Sequence, residues 1–125
     1  MKIIIKTKNL ELSDSLQKFI EDKIESLEKF VDFLKHDGEI GKTLDEVFVE
    51  VEKETKHHKK GQIFGCQLEI NLPGKNLVVK SDSDDLYKAI VDAKRDLEQG
   101  IKKYKLKKVE KNRRERKKSK TEIDL

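Results

Sequence analysis

The sequence predicts an α+β fold with the element order β-α-β-β-β-α, in which a mostly antiparallel four-stranded sheet carries two helices on one face. In the middle of the chain, apolar residues alternate with polar ones at the period of β-strands. Near each end, apolar residues recur every three or four positions, which is the period of an amphipathic helix. With 125 residues, of which 34% are hydrophobic and 43% charged, the chain is expected to form one domain with a thin core.

The first strand and the first helix are predicted at the start of the chain. Residues 2–7 are a short run rich in β-branched side chains, which is typical of a strand. Ser13 is then a suitable N-cap, and Asp14 favours the positive end of the helix that begins there. The spacing predicts that this helix ends near Lys35. Its apolar residues are Leu16, Phe19, Ile20, Ile24, Leu27, Val31 and Leu34.

Three consecutive strands are predicted in the middle of the chain. In the first, Val47, Val49 and Val51 alternate with residues of the opposite face. In the second, Cys66 and three aliphatic residues alternate in the same way, and residues 77–81 supply the third. This pattern predicts an antiparallel sheet that is buried on one side only. The wet face is expected to be mainly acidic and to carry Phe48, Glu50, Glu52, Gln67 and Glu69.

The second helix is predicted after these strands. Ser83 or Asp82 can cap it, and Asp84 and Asp85 suit its first turn. Gly100 lies inside the helix and is expected to cost about 1 kcal/mol relative to alanine. The apolar stripe consists of Leu86, Ala89, Ile90, Ala93, Leu97, Ile101 and Tyr104. Beyond the stripe the apolar period fades, so the end of the chain is expected to be disordered when unbound.

No constellation of catalytic or metal-binding residues is recognisable. His36, His57, His58 and Cys66 lack the spacing of a zinc site, so no metal and no other cofactor is expected. The carboxylates are spread over a sheet face without a predicted cleft, which argues against an enzyme and a small-molecule substrate. Cys66 has no partner for an internal disulfide, and no apolar run approaches the roughly 20 residues that span a bilayer. These features favour a soluble cytoplasmic protein with no membrane partner.

The positive charge of the chain is concentrated near its C-terminus. Of the residues in 102–120, 12 are Lys or Arg and two are Glu, which gives a net charge of +10. The whole chain carries +4, so the remaining residues together carry −6. One or two cations would complement a helix dipole, and a solubilising tail would be another explanation of the charge. Twelve cations exceed the need of a dipole and predict a polyanionic partner, of which RNA and DNA are the commonest.

The candidate nucleic-acid contacts lie on both predicted helices. Lys23 and Lys29 belong to the first helix. The others lie on or just beyond the second helix: Lys88, Lys94, Arg95, Lys102, Lys103, Lys105, Lys107 and Lys108. The aromatic residues fall mostly in the helices, which argues against base stacking across the sheet, with Phe48 and Phe64 as the exceptions.

Three stretches of the chain resemble the ribosome hibernation-promoting factor and ribosome-associated inhibitor family. TKNLELSDSLQKFIEDKIESLEKF is similar to that family's passage from the first strand into the first helix. INLPGKNLVVKSDSDDLYKAI resembles its passage into the second helix, and TKHHKKGQIF resembles the hairpin loop of some short bacterial members. The element D-x-Y-x-A-I of the family is matched by Asp85, Tyr87, Ala89 and Ile90. The resemblance covers roughly residues 1–108 and implies a fold like that of a double-stranded RNA-binding domain.

The resemblance also implies a function without catalysis. A family member would bind the small ribosomal subunit and its rRNA in the channel of messenger and transfer RNA, and would repress translation under stress or in stationary phase. By position, Lys23, Lys29 and the lysines at 102, 103, 105 and 107 match basic places of the family's helices, and Ser26 stands where a further basic residue is often found. Three residues depart from the basic pattern of the family's second helix, near which Lys94 and Arg95 can substitute: Asp96, Gln99 and Gly100.

The basic C-terminus resembles a short hibernation-promoting form, because the inhibitor branch tends to end in an acidic tail. We therefore expect a ribosome-binding α+β domain in residues 1–106, a basic and disordered tail in residues 107–125, and a monomer in solution. The alternative is a general binder of double-stranded RNA or other nucleic acid, without specificity for the ribosome.

Overall fold

The computed structural model describes residues 2–27, 46–54, 63–72 and 74–123. It has the predicted element order β-α-β-β-β-α. The elements are β1 (Lys2–Lys8), α1 (Asp14–Glu25), β2 (Glu46–Glu54), β3 (Ile63–Leu72), β4 (Lys75–Ser83) and α2 (Leu86–Ile123). Helix α1 thus ends earlier than predicted, and the predicted continuation to Lys35 lies outside the described residues.

The four strands form one sheet in the order β1-β2-β3-β4. Strand β1 is parallel to β2, whereas β2–β3 and β3–β4 are antiparallel, so the sheet is mixed and mostly antiparallel. The register aligns Ile5, Val49, Leu68 and Val79 in one row across all four strands. Because side chains alternate between the two faces of a strand, this row marks the apolar face of the sheet.

Both helices pack on that apolar face and form a single core with it. The buried residues of the core are Leu16, Ile20, Ile24, Leu27, Val47, Val49, Val51, Cys66, Leu68, Ile70, Leu72, Leu77, Ala89, Ile90, Ala93, Leu97 and Ile101. The described residues include no buried polar or charged side chain. Burying a Val, Leu or Ile side chain contributes about 1.5–3 kcal/mol to the free energy of unfolding, so these aliphatic residues are the main source of stability of the fold. The predicted fold class is confirmed.

The N-cap of α1 is the predicted residue, whereas the N-cap of α2 is a different one. Ser13 caps α1, since its Oγ accepts a hydrogen bond of 3.1 Å from the backbone N–H of Leu16. At α2, the carboxylate of Asp85 accepts from the N–H of Tyr87 at 2.9 Å, and Ser83 Oγ in turn accepts from the N–H of Asp85 at 3.2 Å. The cap is therefore Asp85 and not the predicted Ser83 or Asp82, because β4 continues as far as Ser83.

Helix α2 is longer than the sequence pattern predicts. Its 38 residues correspond to a length of about 57 Å at 1.5 Å per residue. The buried stripe ends at Ile101 with Tyr104 half-buried beyond it, but the backbone stays helical to Ile123. Segment 105–123 contains neither Pro nor Gly and is rich in Lys, Arg and Glu, which have high helix propensity. Local propensity therefore favours helix in this segment, where tertiary packing has ended. The division into a domain of residues 1–106 and a tail of residues 107–125 that is disordered when unbound remains a prediction.

Gly100 is predicted to be a stabilising site for substitution. A Cβ atom at this position would meet the two methyl carbons of Leu77 at 3.6 and 3.7 Å, which is ordinary van der Waals contact. Gly100→Ala should therefore raise the free energy of unfolding by about 1 kcal/mol, as expected for glycine in a helix interior. Urea denaturation followed by circular dichroism measures the change.

The matched control is Gly74→Ala, which makes the same chemical change in the turn between β3 and β4. Gly74 has a φ of 76°, a conformation that alanine adopts only with strain, so this variant should be less stable than the parent. Equal effects of the two substitutions would contradict the structural assignment.

The thiol of Cys66 is predicted to be unreactive in the folded protein. Burial raises its pKa from 9.0 to about 12 because desolvation disfavours the thiolate. At pH 8 the reactive thiolate is then only about one molecule in ten thousand. A disulfide reagent should label the native protein far more slowly than the protein in urea. Rapid labelling of the native protein would show that this strand is not buried.

Candidate nucleic-acid interface

The exposed side of α2 brings together cations that are distant in sequence. Lys88, Arg95 and Lys102 are spaced by seven residues, which is nearly two helical turns, so they lie along one line of the helix. All three are exposed, as is Lys103, which lies about 100° around the helix from Lys102. We call Lys88, Arg95 and Lys102 the basic stripe. It lies opposite the buried residues of α2 and faces away from the sheet, so a phosphate backbone can approach it without disturbing the core.

The remaining predicted cations of α2 differ in their surroundings. Lys94 is half-buried, and its Nζ lies 3.4 Å from a carboxylate oxygen of Glu98 in an i,i+4 ion pair. Lys105 is also half-buried, whereas Lys107 is exposed. Lys108 lies in the helix, and its side chain is outside the described part of the chain. Lys94 and Arg95 were both predicted to substitute for contacts that the family makes with its second helix. Of the two, Arg95 belongs to the basic stripe and Lys94 does not.

The candidate cation Lys23 of α1 is connected to the start of α2 through two aromatic residues. Lys23 is half-buried and its Nζ lies 5.6 Å from the ring centroid of Phe19, within the range of a cation–π contact. The Phe19 ring meets Tyr87 edge to face, with centroids 4.7 Å apart and planes at 88°. Lys29, the other predicted cation of α1, lies outside the described residues.

Tyr87 matches the family's D-x-Y-x-A-I element, but the sequence did not predict it as a contact residue of this surface. It is 45% exposed although it belongs to the first turn of a helix that packs on the core. One signal in the sequence could have found it. Tyr87 is an aromatic residue that falls outside the apolar stripe of α2, between Leu86 and Ala89.

One of the three departures from the family's basic pattern ties α2 to the sheet. Asp96 accepts a hydrogen bond of 3.1 Å from the hydroxyl of Ser81 and so connects α2 to β4. Gly100 lies beside the Leu77 side chain, whose methyl carbons would be 3.6 and 3.7 Å from a Cβ atom at this position. Gln99 is exposed, on the same side of the helix as Arg95 four residues before it.

The opposite face of the sheet is mixed in charge and not mainly acidic, which corrects the sequence prediction. The register places the lysines of β1 beside the glutamates of β2, because Lys2, Lys6 and Lys8 align with Glu46, Glu50 and Glu52. Lys8 Nζ lies 3.9 Å from Glu52, and Lys80 Nζ lies 3.6 Å from Glu54. A shallow hollow of about 190 Å³ on this face is lined by Ile4, Lys6, Phe48, Glu50, Gln67 and Glu69. Phe48, Glu50, Glu52, Gln67 and Glu69 are half-buried by one another and by their neighbours.

The described residues contain neither a metal-binding cluster nor a helix that could span a membrane. The described segments contain no group of three His, Cys, Asp or Glu residues that could hold a metal ion. His36, His57 and His58 lie outside them. No described helix is long and apolar enough to cross a bilayer.

Comparison with known proteins identifies relatives over most of the chain. A family described as "Sigma 54 modulation protein / S30EA ribosomal protein" matches residues 3–109. A ribosome hibernation promotion factor of Lactococcus lactis is 30% identical over 107 residues, which are 84% of this chain and 50% of that protein. The chain thus spans about half the length of this relative.

Two solved structures share the fold. A ribosomal subunit interface protein from Coxiella burnetii superposes with a TM-score of 0.63 at 18% identity, over 85% of this chain and 99% of that one. The N-terminal domain of Thermus thermophilus Protein Y superposes with a TM-score of 0.59 at 23% identity, over 83% of this chain and 99% of that one. At these identities the likeness establishes the fold.

Proposed function

The chain belongs to the family of sigma 54 modulation and S30EA ribosomal proteins, and on this premise we propose that it is a ribosome hibernation factor. It binds the small ribosomal subunit in the channel of messenger and transfer RNA and represses translation under stress or in stationary phase. It acts in the cytoplasm as a monomer and needs no cofactor. The family match over residues 3–109 carries this proposal.

The basic stripe suggests how the domain would be oriented in that channel. Its cations face away from the sheet, while the lysines on the opposite face stand beside glutamates of the neighbouring strand. The helical side also includes segment 102–120 of α2, whose net charge is +10. This excess of positive charge favours the helical side as the one that meets rRNA, where phosphate contacts position the protein.

Translation stops in this mechanism because the channel is occupied, and no bond is made or broken. An inhibitor that acts by occupying the channel needs one molecule per ribosome, whereas an enzyme can inactivate many ribosomes per molecule. Each molecule blocks one ribosome, so inhibition should become complete only as the protein approaches one copy per ribosome. Inhibition at ratios far below one would indicate turnover and contradict the proposal.

Neutralising the basic stripe should weaken binding to the small subunit. The triple variant in which Gln replaces Lys88, Arg95 and Lys102 should bind at least about ten-fold more weakly. The slope of log affinity against log salt should flatten by about two to three units, because fewer counterions are released when fewer phosphates are contacted. Sedimentation with purified small subunits across a salt series measures both quantities. Translation in a cell-free system should need correspondingly more of this variant.

The matched control removes the same charge from the opposite face. Lys2, Lys6 and Lys8 lie on β1 beside glutamates, so their replacement with Gln should leave binding nearly unchanged. Circular dichroism establishes that both triple variants are folded. If both lose affinity equally, net charge and not the basic stripe governs binding. If both also bind an unrelated RNA duplex as well as the subunit, the protein is a general nucleic-acid binder.

The C-terminal part of α2 should add affinity without adding specificity. Truncation after Leu106 removes nine Lys and Arg residues, which lie in segment 107–120. Not all will meet phosphates, so the slope of log affinity against log salt should flatten by about two to five units. The preference for small subunits over an unrelated RNA duplex should persist, because the folded domain supplies the shape.

A full-length control separates charge from length. Replacing the nine cations with Gln keeps the chain length of α2 but removes its charge. This variant should behave like the truncated protein. An unchanged salt slope in both would reduce the segment to a solubilising extension, and a complete loss of subunit preference would show that the segment itself carries specificity.

A further inference from the structure

We propose that the ring of Tyr87 is a stacking site for one unpaired nucleobase of RNA. The proposal rests on the proposed function, because it takes RNA to be the partner. It adds a second kind of contact to the basic stripe. Phosphate contacts do not distinguish paired from unpaired strands, whereas stacking on an aromatic ring requires a base that has left the helix.

The exposure of Tyr87 is the first observation that carries the proposal. The described residues include three large exposed hydrophobic side chains, namely Val78, Tyr87 and Leu106. Tyr87 is the only aromatic one of the three. The exposed part of its ring is available for a flat partner.

The fixed orientation of the ring is the second observation. Phe19 is partly buried, packs against the core and meets the Tyr87 ring at 88° with centroids 4.7 Å apart. The backbone N–H of Tyr87 is held by Asp85 at 2.9 Å. The ring is therefore positioned before a ligand arrives, so a base that stacks on it loses little additional conformational freedom of the protein.

The charges around the ring orient a nucleotide. Lys88 is exposed in the next position of α2, and Lys23 lies over the Phe19 ring on the neighbouring helix. Asp84 and Asp85 precede the ring and repel phosphate at the helix start. Asp85 accepts from the N–H of Tyr87, and Asp84 accepts from the hydroxyl of Ser83 at 3.3 Å. A base over Tyr87 can thus direct its phosphates toward the lysines and away from the two carboxylates.

A packing role is the alternative explanation for Tyr87, since its ring covers part of Phe19. Leucine at this position would preserve an apolar cover for Phe19 but would offer no flat surface to a base. Phenylalanine would preserve the flat surface without the hydroxyl. The comparison of these two substitutions therefore separates packing from stacking.

Tyrosine fluorescence can report the contact directly, because the chain has two tyrosines and no tryptophan. Tyr104→Phe leaves Tyr87 as the single fluorophore. In this background, a single-stranded oligouridylate of about ten nucleotides, within the length range of single-strand sites, should quench the emission as uracil stacks on the ring. An RNA duplex of the same length should bind the basic stripe and leave the emission unchanged. Absence of quenching at oligouridylate concentrations that saturate binding would overturn the proposal.

Affinity measurements on the full-length protein complete the test. Tyr87→Leu should weaken binding of the oligouridylate about ten-fold, which lies within the range for one stacked base, and Tyr87→Phe should retain it. The salt slope should be the same in all three proteins, because no phosphate contact is removed. Thermal unfolding should show that the Leu variant is folded. Parental affinity in Tyr87→Leu would assign the residue to packing alone.

Small subunits, measured in parallel with the same proteins, separate this proposal from the function. Quenching by the oligouridylate without subunit binding would refute the hibernation function and support the stacking site. Parental subunit binding by Tyr87→Leu, together with absent quenching, would refute the stacking site and leave the function intact.

Discussion

The burial of one face of a four-stranded sheet beneath two helices is the constraint on which the rest of the structure depends. Each central strand contributes apolar side chains at every second position, such as Val47, Val49 and Val51 on β2. None of the described residues places a polar or charged side chain inside this layer. In a chain with 43% charged residues, the ionic groups of the described residues therefore lie on the outer side of the helices, on the opposite face of the sheet or beyond the core.

Charge is distributed between these surfaces by register and by helical periodicity. On the sheet, the parallel pairing of β1 with β2 places lysines beside glutamates, so the field of that face is largely compensated. On α2, the residues that face the sheet are apolar, and the seven-residue spacing of Lys88, Arg95 and Lys102 gathers cations on the opposite side. Within the described residues, two local repeats thus set which charges lie on the sheet face and which lie on the outer side of α2.

Helix α2 is attached to the core along its first half only. That half is held against the sheet by Leu97, Ile101 and the Ser81–Asp96 hydrogen bond, and the second half projects beyond the core with most of the Lys and Arg residues of the helix. The aromatic contact between Phe19 and Tyr87 connects α1 to the start of α2, and Lys23 lies over the same Phe19 ring.

The sequence by itself determined the element order, the buried face of each strand and the identity of the candidate cations, because these depend on periods of two and 3.6 residues and on composition. It also located the cap at Ser13. It did not determine the end of α2, where helix propensity continues after the apolar period has stopped. Only the tertiary structure decided which distant residues lie side by side. The lysines of β1 lie beside the glutamates of β2, and Tyr87 meets Phe19 from a distant part of the chain. Such contacts depend on how elements pack in space, and neither local spacing nor composition carries that information.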